Sequence, residues 1–473
     1  MWRVLFTRFC EQVGELPATV AGIVDVNMRL SEISATLRDI RVSPVRSLGQ
    51  TFLHDQNLAR WIVKQADLTD EDYVIEIGPG LGALTESALA KGTRVLAIEK
   101  DGRLTKFLRE KFRDRQLEVL HDDALRFDER VLFAQRRVKL LGSLPYYISS
   151  QLLMKFVTYP SPISLWLLML QKEMAQRLSA APPTSNYGAL TLLVQLHHHV
   201  KYLRTISASV FLPRPEVDSA LVRITPRDPE ELPACDDELF TALVRRGFSQ
   251  RRKQLGKLLR PDVADWEKTA EALGLDRKAR AETLSLRQWI ALTNHVRPLE
   301  LPEWRANDAE RFPVVDKNDR VLREASRAKV HGDNLRHRAV HILIFNDASE
   351  VYLQKRSRWK DRHPLLWDSS AAGHVSAGEG YDEAAQRELQ EELGINVPLE
   401  KVLKLAASAR TGQEFICLYR GLLRGDPKPN RSEIEAGVFC GPAIVDGWIA
   451  ARPEDFAPGF VECWEAYRRK KSP

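Results

Sequence analysis

One stretch decides the fold of the first half of the chain: Val74-Ile75-Glu76-Ile77-Gly78-Pro79-Gly80-Leu81-Gly82-Ala83-Leu84-Thr85. Its apolar start predicts a strand, and the pattern from Ala83 predicts a helix. The three glycines between them allow a sharp turn and let a ligand lie against the backbone. In an open parallel sheet such a turn lies at the carboxyl edge, where nucleotide-like ligands bind. The spacing is GxGxG, which differs from the GxGxxG of dinucleotide sites.

The following strand patterns support a ligand site at this turn. Residues Arg94–Ile98 predict a strand that ends in Glu99, which is placed to accept hydrogen bonds from a ribose. Further strand patterns occupy residues 117–120, 138–141 and 165–170, with helical patterns between them. This alternation predicts an α/β fold with a doubly wound sheet.

Two more predicted strand ends carry polar signals. The third strand is followed by Asp122-Asp123, where an acid can take the amino group of a bound adenine. The fourth is followed by Ser143-Leu144-Pro145-Tyr146. The proline fixes the backbone and can aim the preceding carbonyl into the cleft, while the tyrosine offers a flat face for a base. Polar residues at successive strand tips favour a binding site over ordinary turns.

Five motifs resemble the ribosomal RNA adenine dimethyltransferase family. They are Gly49-Gln50-Thr51-Phe52-Leu53, Glu76-Ile77-Gly78-Pro79-Gly80, Asp123-Ala124-Leu125, Leu144-Pro145-Tyr146 and Phe211-Leu212-Pro213-Arg214-Pro215-Glu216-Val217-Asp218-Ser219-Ala220. The resemblance covers about Met28 to Val296. It implies a Rossmann-like, S-adenosylmethionine-dependent methyltransferase with a small helical subdomain. The implied substrate is two adjacent adenosines near the 3′ end of 16S rRNA in the immature 30S particle, so the implied role is in ribosome biogenesis.

The resemblance also implies residue roles. It assigns cofactor binding to Thr51, Leu53, Gly78, Gly80, Glu99, Asp123 and Ser143. It assigns the target base to Ser143, Leu144, Pro145, Tyr146 and Phe211. The chemistry agrees, because an exocyclic adenine nitrogen is a poor nucleophile that needs orienting rather than a strong base. Acceptors at residues 143 and 144 would hold its hydrogens, and stacking on Tyr146 or Phe211 would hold the extruded base.

Two positions depart from the family pattern. The family usually has asparagine where this chain has Thr51 and Ser143. Serine can accept a hydrogen bond, but it is shorter and offers no amide group. Two alternatives therefore stay open: a ribosome-assembly factor that binds rRNA with weakened methyltransferase activity, or a large-subunit rRNA adenine methyltransferase.

The charge distribution predicts where a polyanion binds. The net charge is +6, yet residues 301–473 carry 27 basic and 27 acidic residues, so the excess lies in the first 300. Seven basic residues and no acid occupy the stretch from Arg245 to Arg260. We interpret this stretch as a helix that binds rRNA phosphates rather than as a merely solvated helix face. The predicted RNA-binding residues are Arg245, Arg246, Arg251, Arg252, Lys253 and Lys257.

Several features exclude other classes of protein. The five cysteines form no CxxC pair, which argues against a disulfide framework or a thiolate zinc site and indicates a reducing cytoplasm. No apolar run approaches the roughly 18 residues of a membrane span, so no membrane partner is expected. The run His197-His198-His199 is expected to be structural, because adjacent strand residues point to opposite faces and cannot converge on one ion.

The sequence predicts five segments. Residues 1–27 form an extension of unknown role, 28–227 the methyltransferase domain, 228–297 the helical rRNA-binding subdomain, 298–313 a linker, and 314–473 a second domain. The second domain contains a predicted strand pair, Ala339–Phe345 and Glu350–Gln354. The linker is expected to separate two complete folds.

The second domain carries the segment Gly373-x5-Glu379-x7-Arg387-Glu388-Leu389-x-Glu391-Glu392-x-Gly394-Ile395. Glu388, Glu391 and Glu392 would share one helix face, and such oxygen ligands suit magnesium bound to a pyrophosphate. Arg387 is available to pair with Glu379 and brace the loop against the helix.

This segment resembles the box of the Nudix hydrolases, which implies an α+β domain that hydrolyses a small pyrophosphate with Mg²⁺. The implied metal ligands are Gly373, Glu388, Glu391 and Glu392, with Glu391 also catalytic. Leu335–His341 and Trp367-Asp368 are similar to the branch related to isopentenyl diphosphate isomerase. That isomerase has a reactive cysteine where this chain has Ala372. Hydrolysis of a nucleoside diphosphate derivative or another small pyrophosphate is therefore preferred over isomerisation.

Overall fold

A computed structural model describes residues 30–44, 50–144, 148–157, 159–299 and 310–471. The predicted extension 1–27, the residues Pro145 and Tyr146, and most of the predicted linker lie outside these ranges. We call residues 30–299 the amino-terminal unit and residues 310–471 the carboxyl-terminal unit. Within the described ranges, no helix is both long enough and apolar enough to cross a membrane. The cysteines in these ranges are free thiols, as predicted.

Seven strands form the main sheet of the amino-terminal unit. They are β2 Tyr73–Ile77, β3 Arg94–Glu99, β4 Leu117–His121, β5 Val138–Ser143, β6 Ile163–Gln171, β7 His198–Ile206 and β9 Ser219–Pro226. Their order is β4-β3-β2-β5-β6-β9-β7, with β2 to β6 parallel and β9 antiparallel to both of its neighbours. The five predicted strands are confirmed, with ends shifted by at most two residues. The strand order reverses between β2 and β5, which is where an open sheet of this type binds its ligand.

Helices cover both faces of this sheet. They are α1 Leu30–Asp39, α2 Gln56–Lys64, α3 Ala83–Leu89, α4 Gly102–Lys111, α5 Ser149–Phe156, α6 Lys172–Leu178 and α7 Ala189–Gln195. Asp55 and Asp101 begin α2 and α4 by accepting hydrogen bonds from backbone N–H groups of the first turn. Two separate apolar clusters fill the two sides of the sheet. The doubly wound fold is therefore confirmed.

The helical subdomain follows the sheet. Its helices are α8 Asp237–Gly247, α9 Leu255–Leu258, α10 Trp266–Ala272 and α11 Leu286–Val296, packed around a core that includes Phe240 and Trp289. The expectation of one basic helix from Arg245 onward is wrong, because α8 ends at Gly247 and residues 251–253 lie in the turn before α9. A Cβ on Gly247 would lie 2.5 Å from the Trp289 ring, so the subdomain packs closely where α8 ends.

The carboxyl-terminal unit begins with a hairpin of β10 Arg311–Val315 and β11 Val321–Ser326. The last three residues of the predicted linker therefore lie in a strand. A mixed sheet follows, made of β12 His337–Phe345, β13 Val351–Arg356, β14 Trp367–Asp368, β15 Ala371–His374, β16 Glu400–Leu405, β17 Glu414–Leu422 and β18 Ile434–Cys440. Its helices are α12 Arg327–Gly332, α13 Tyr381–Leu393, α14 Pro442–Ala451 and α15 Pro458–Lys471. The predicted strand pair corresponds to β12 and β13, and the α+β class is confirmed.

The two units are in direct contact. Phe133, in the short 3₁₀ helix Glu129–Ala134, stacks on Trp448 with ring centroids 3.9 Å apart and joins the apolar core of the carboxyl-terminal unit. Arg130 forms an ion pair with Glu350 at 2.9 Å. The 3₁₀ helix leads into β5, so the contact lies at the amino edge of the parallel strands, opposite the edge that carries the glycine turn. The two folds on either side of the linker are therefore packed against each other.

Candidate active sites

The glycine turn after β2 requires glycine for two physical reasons. Gly78, Gly80 and Gly82 have φ of 67°, 58° and 85°, in the left-handed region that favours glycine. A Cβ on Gly82 would also lie 2.7 Å from the Phe112 ring, and one on Gly80 would lie 3.0 Å from the Phe52 ring. Gly78 is exposed and Gly80 is half-buried, so the first part of the turn can border a ligand, whereas Gly82 is buried against Phe112.

Glu99 lies beside this turn, as the sequence predicts. One carboxylate oxygen accepts a hydrogen bond from the Gly80 N–H at 3.3 Å, and the other accepts one from the Asp101 N–H at 2.9 Å. Burial raises the pKa of Glu99 above its ordinary value. Gly80 and Glu99 are thus joined by a hydrogen bond at the carboxyl edge of the sheet, where a carboxylate can accept hydrogen bonds from a ribose.

Asp123 already has partners of its own. Its carboxylate accepts a hydrogen bond from Lys100 at 2.8 Å and another from the Leu125 N–H at 3.0 Å. The bond from Lys100 lowers the pKa of Asp123. The ammonium group of Lys100 is exposed, so a ligand amino group that approached Asp123 would compete with it.

Ser143 and Leu144 lie at the carboxyl end of β5, next to the glycine turn. The Ser143 carbonyl oxygen is 3.5 Å from the position that a Cβ on Gly78 would take. The Leu144 N–H donates a hydrogen bond to the Met169 carbonyl at 3.2 Å, so β6 holds the backbone just before the Leu-Pro-Tyr motif. The predicted base-holding residues Pro145 and Tyr146 lie outside the described ranges.

Leu53 and Phe211 lie opposite each other beside the turn, and Thr51 directly precedes the strand that contains Leu53. β1 Phe52–Leu53 pairs in antiparallel register with β8 Phe211–Leu212. Phe211 is only 4% exposed and packs in the core. A target base could therefore reach at most the edge of this ring, which leaves Tyr146 as the candidate stacking surface.

Glu76 is a feature that the site prediction omitted. It is buried in β2, just before the turn, and accepts a hydrogen bond from the Thr85 hydroxyl at 2.5 Å. Burial raises its pKa to about 7. A glutamate inside an apolar strand, directly before a glycine turn, was the sequence signal for this bond.

The predicted basic residues divide into two groups. Arg246 is bonded to Asp262, and Arg251 donates to the Tyr187 carbonyl at 3.1 Å, so these two hold the subdomain together. Arg252 and Lys253 are exposed, and within the described ranges no side-chain hydrogen bond or ion pair engages them. Three further exposed members of the run are Arg245, Lys257 and Arg260. The exposed group is the one available to phosphates.

The histidine run behaves as predicted. His197 is bonded to Asp237 and His199 to Glu231, each at 2.8 Å, while His198 is buried between them. The three rings have separate surroundings, and they do not converge on one ion.

The glutamates of the carboxyl-terminal unit lie on α13 and face a cavity of about 730 Å³. Glu392 is buried and accepts hydrogen bonds from the Gln354 amide at 2.8 Å and the Ala372 N–H at 3.1 Å. A Cβ on Gly373 would lie 2.0 Å from the carboxyl carbon of Glu388, so a side chain at this position of β15 would displace that carboxylate. Glu391 is the most accessible of the three, with 57% of its side chain exposed.

Arg387 braces this arrangement. It forms an ion pair with Glu379 at 2.8 Å, as predicted, and it also contacts Glu388 at 2.8 Å and Glu391 at 3.1 Å. Burial and the charge of Glu392 raise the pKa of Glu388. Crowded carboxylates of this kind fit a divalent cation, which would stabilise their charged forms. Further charged groups line the same cavity, among them Arg327, Arg356, Lys360, Arg362 and Arg410.

A histidine cluster at the same cavity was missed by the sequence reasoning. His331, His337 and His374 place one ring nitrogen each within 4.8 Å of one another. Glu414 lies 3.4 Å from both His337 and His374. Burial lowers the pKa of His374 to about 3. These nitrogen donors suit a transition metal better than magnesium. They come from α12, β12 and β15, so no regular spacing in the sequence predicts this cluster.

Two families match the chain. Residues 44–297, just over half of its length, match the family of ribosomal RNA adenine dimethylases, and residues 335–458 match the NUDIX domain. The chain belongs to the ribosomal RNA adenine dimethylase family. It joins a unit of that family to a domain that matches the NUDIX model.

Relatives cover mainly the amino-terminal unit. The ribosomal RNA small subunit methyltransferase A of Geobacillus thermodenitrificans is 36% identical over 267 residues, which is 54% of this chain and 91% of that protein. The protein of the same name from Halothermothrix orenii is 40% identical over 261 residues, 53% of this chain and 87% of that protein. Among solved structures, the 23S rRNA methyltransferase ErmE is 25% identical and covers 52% of this chain and 99% of its own, with a TM-score of 0.44. DR0079 from Deinococcus radiodurans is 27% identical and covers 34% of this chain and 98% of its own, with a TM-score of 0.30.

Proposed function

We propose that the amino-terminal unit dimethylates two adjacent adenosines near the 3′ end of 16S rRNA, in the immature 30S particle and in the cytoplasm. Residues 28–227 would form the catalytic domain and 228–297 the rRNA-binding subdomain. The observation that carries the proposal is the glycine turn with Glu99 beside it and Ser143 at the next strand end. Family membership and the relatives' names support the choice of rRNA as the substrate.

The residues of the chain would position two reactants. S-adenosylmethionine supplies an electrophilic methyl group when it is bound. The turn around Gly80 would lie against the nucleoside part of that cofactor, and Glu99 would accept hydrogen bonds from its ribose. The Ser143 hydroxyl and the Leu144 carbonyl would accept the hydrogens of the adenine N6 and turn its lone pair toward the methyl group. Exposed Arg252 and Lys253 would bind phosphates.

Mapping dimethyladenosine in rRNA from a strain that lacks the gene tests this proposal. We expect both small-subunit modifications to be lost and to return with the wild-type gene, but not with a Glu99→Ala variant. Loss of large-subunit dimethyladenosine would favour the large-subunit alternative. Unchanged methylation together with an assembly defect would favour the rRNA-binding factor, which the substitutions at Thr51 and Ser143 allow.

We further propose that the second domain, residues 314–473, is a Mg²⁺-dependent pyrophosphohydrolase. The convergence of Glu388, Glu391 and Glu392 on one cavity carries this proposal. Magnesium, when bound, would polarise a diphosphate. Glu391, the most accessible carboxylate, would accept a proton from the attacking water. The preferred substrate is a nucleoside diphosphate derivative or another small pyrophosphate.

A panel of nucleotide sugars, dinucleotides, nucleoside triphosphates and small non-nucleotide diphosphates tests the hydrolase. Glu391→Gln should abolish cleavage with little effect on folding, because its side chain is exposed. Glu383→Gln on the same helix is the matched control, because Glu383 accepts a hydrogen bond from the Gly380 N–H and does not line the cavity. The hydrolase proposal fails if the wild type cleaves no member of the panel.

A further inference from the structure

The segment Gln354–Lys360, which we call the bridging segment, contacts both the glutamate helix and the amino-terminal unit. Its two ends hold Glu392. The Gln354 amide donates a hydrogen bond to one carboxylate oxygen at 2.8 Å, and the Lys360 ammonium donates to the other at 3.1 Å. The position of this glutamate therefore depends on where the bridging segment lies.

Residues between these two ends face the amino-terminal unit. Lys355 donates a hydrogen bond to the Tyr159 hydroxyl at 3.2 Å. Arg358 donates to the backbone carbonyls of Pro229 and Leu232, at 3.4 Å for Leu232. Successive strand residues point to opposite faces, so Gln354 points toward Glu392 while Lys355 points toward Tyr159. The same short segment thus forms the domain contact on one side and the glutamate contact on the other.

Two acids near the start of β18 tie this arrangement together. Glu433 is bonded to Lys360, and Glu435 is bonded to Arg358 at 3.2 Å. The Ser357 N–H also donates to the Glu433 carbonyl at 3.0 Å. Glu433 directly precedes β18 and Glu435 lies within it, and both are bonded to the bridging segment. A shift of Arg358 is therefore expected to move Lys360 as well.

Because Arg358 is largely buried, losing its contacts should affect the surrounding structure. Its side chain is only 18% exposed, so its charge needs both Glu435 and the two carbonyls of the amino-terminal unit. Removing the guanidinium leaves Glu435 and these carbonyls without a buried donor. The chain is then expected to readjust at the bridging segment, two residues from Lys360.

We propose that Arg358 is a positioning residue for Nudix hydrolysis, and that the methyltransferase part of the chain is a structural component of the Nudix centre. The amino-terminal unit holds Arg358, the bridging segment carries this constraint to Gln354 and Lys360, and these two fix Glu392. The inference rests on the proposed hydrolase activity. It gives the fusion of the two enzymes a physical consequence, because hydrolysis depends on a contact between them.

The test uses the full-length protein with Arg358→Met and a matched control, Arg130→Met. Arg130 also crosses the boundary, with an ion pair to Glu350 and a hydrogen bond to the Phe439 carbonyl, but it does not touch the bridging segment. Residues behind metal ligands typically contribute 10–100-fold to affinity or activity. We expect Arg358→Met to lower kcat about tenfold and to weaken Mn²⁺ binding, measured by calorimetry, about tenfold, with KM and rRNA methylation unchanged. The control should retain wild-type kcat and Mn²⁺ affinity.

A second variant changes no residue of the Nudix unit. Tyr159→Phe removes only the hydroxyl that receives the Lys355 hydrogen bond, so folding should be preserved. It should lower hydrolysis by about twofold, in the same direction as Arg358→Met, and Arg358→Lys should restore part of the loss. If Arg358→Met does not fold, hydrolysis and Mn²⁺ affinity of Tyr159→Phe test the positioning role instead.

The outcomes separate the two proposals. A wild type that cleaves nothing in the panel removes the hydrolase assignment, while the Mn²⁺ titration still tests the positioning role. Equal Mn²⁺ affinity and equal kcat in Arg358→Met, Arg130→Met and wild type would overturn the positioning role alone. Wild-type Mn²⁺ affinity and hydrolysis in Tyr159→Phe would overturn it if Arg358→Met is unfolded.

Discussion

Replacing Gly373 by alanine tests how closely the glutamate helix and β15 must fit. The added Cβ would lie 2.0 Å from the carboxyl carbon of Glu388 and 2.1 Å and 2.4 Å from its two oxygens. Ordinary contacts between such atoms are about 3.5 Å, so relief requires a movement of roughly 1.5 Å. Glu388 is held by Arg387 at 2.8 Å and is largely buried, so moving its carboxylate aside would break this ion pair.

The expected loss follows from this displacement. A shift of about 1 Å in a catalytic group can cost on the order of 100-fold in rate. We therefore expect Gly373→Ala to lower kcat for pyrophosphate hydrolysis about 100-fold and to weaken Mn²⁺ binding. Crowding of this kind typically destabilises a fold by about 1–3 kcal/mol, so the protein should still fold. Methylation of rRNA should be unchanged, because Gly373 lies far from the glycine turn in the fold.

The assay compares Gly373→Ala with Gly441→Ala in the same unit. Gly441 has φ of −64° and no atom within 4 Å of an added Cβ, so alanine fits there. Hydrolysis of the best substrate in the panel, Mn²⁺ affinity by calorimetry and the thermal midpoint are measured for both. A Gly373→Ala variant with wild-type kcat and Mn²⁺ affinity would refute the reasoning, since the methyl group would then be accommodated without moving Glu388.

Three further predictions concern the amino-terminal unit. Burial raises the pKa of Glu76 from 4.5 to about 7, so its contribution to stability is full below pH 4.5 and is lost as pH rises through 7. The loss is about 3 kcal/mol, and Glu76→Gln should flatten this pH dependence of the thermal midpoint; parallel profiles would contradict it. Alanine at both Arg252 and Lys253 should weaken RNA binding and reduce the salt slope by about 2, and an unchanged slope would exclude phosphate contacts. Ser143→Asn should raise the share of doubly methylated adenosine by mass spectrometry, because one transition-state hydrogen bond contributes on the order of 1–3 kcal/mol; an equal share would argue against a role for this side chain.

The sheet of the amino-terminal unit was readable from the sequence because its central strands are buried on both faces. Such strands appear as continuous apolar runs, and the strand from Val138 onward was located within two residues of its observed end. The glycine turn was readable for a different reason, since three left-handed positions leave glycine as the residue without steric cost. The glutamate helix was readable from its spacing, because its carboxylates lie three and four residues apart.

The remaining features depend on residues that are distant in the chain. The sequence predicted one helix across the basic stretch. The helix α8 instead ends at Gly247, where the ring of Trp289 from α11 lies against the backbone. Phe211 read as a stacking surface, but its pairing with Leu53 places the ring in the core. The cluster of His331, His337 and His374 has no periodicity, because three separate elements bring the rings together. Local patterns predict elements, whereas these contacts are fixed only by tertiary packing.

The position of the domain contact explains how one chain can carry both sites. Parallel strands have two distinct edges, and the glycine turn lies at the carboxyl edge of β2 while Phe133 meets Trp448 beyond the amino edge of β5. The contacts described between the two units therefore lie away from the edge that would receive the cofactor and the target adenosine. On the other side of the contact, the bridging segment lies directly behind Glu392. A contact at this place restrains the Nudix centre without covering the methyltransferase cleft, so coupling between the two units should be detected more strongly in hydrolysis than in methylation.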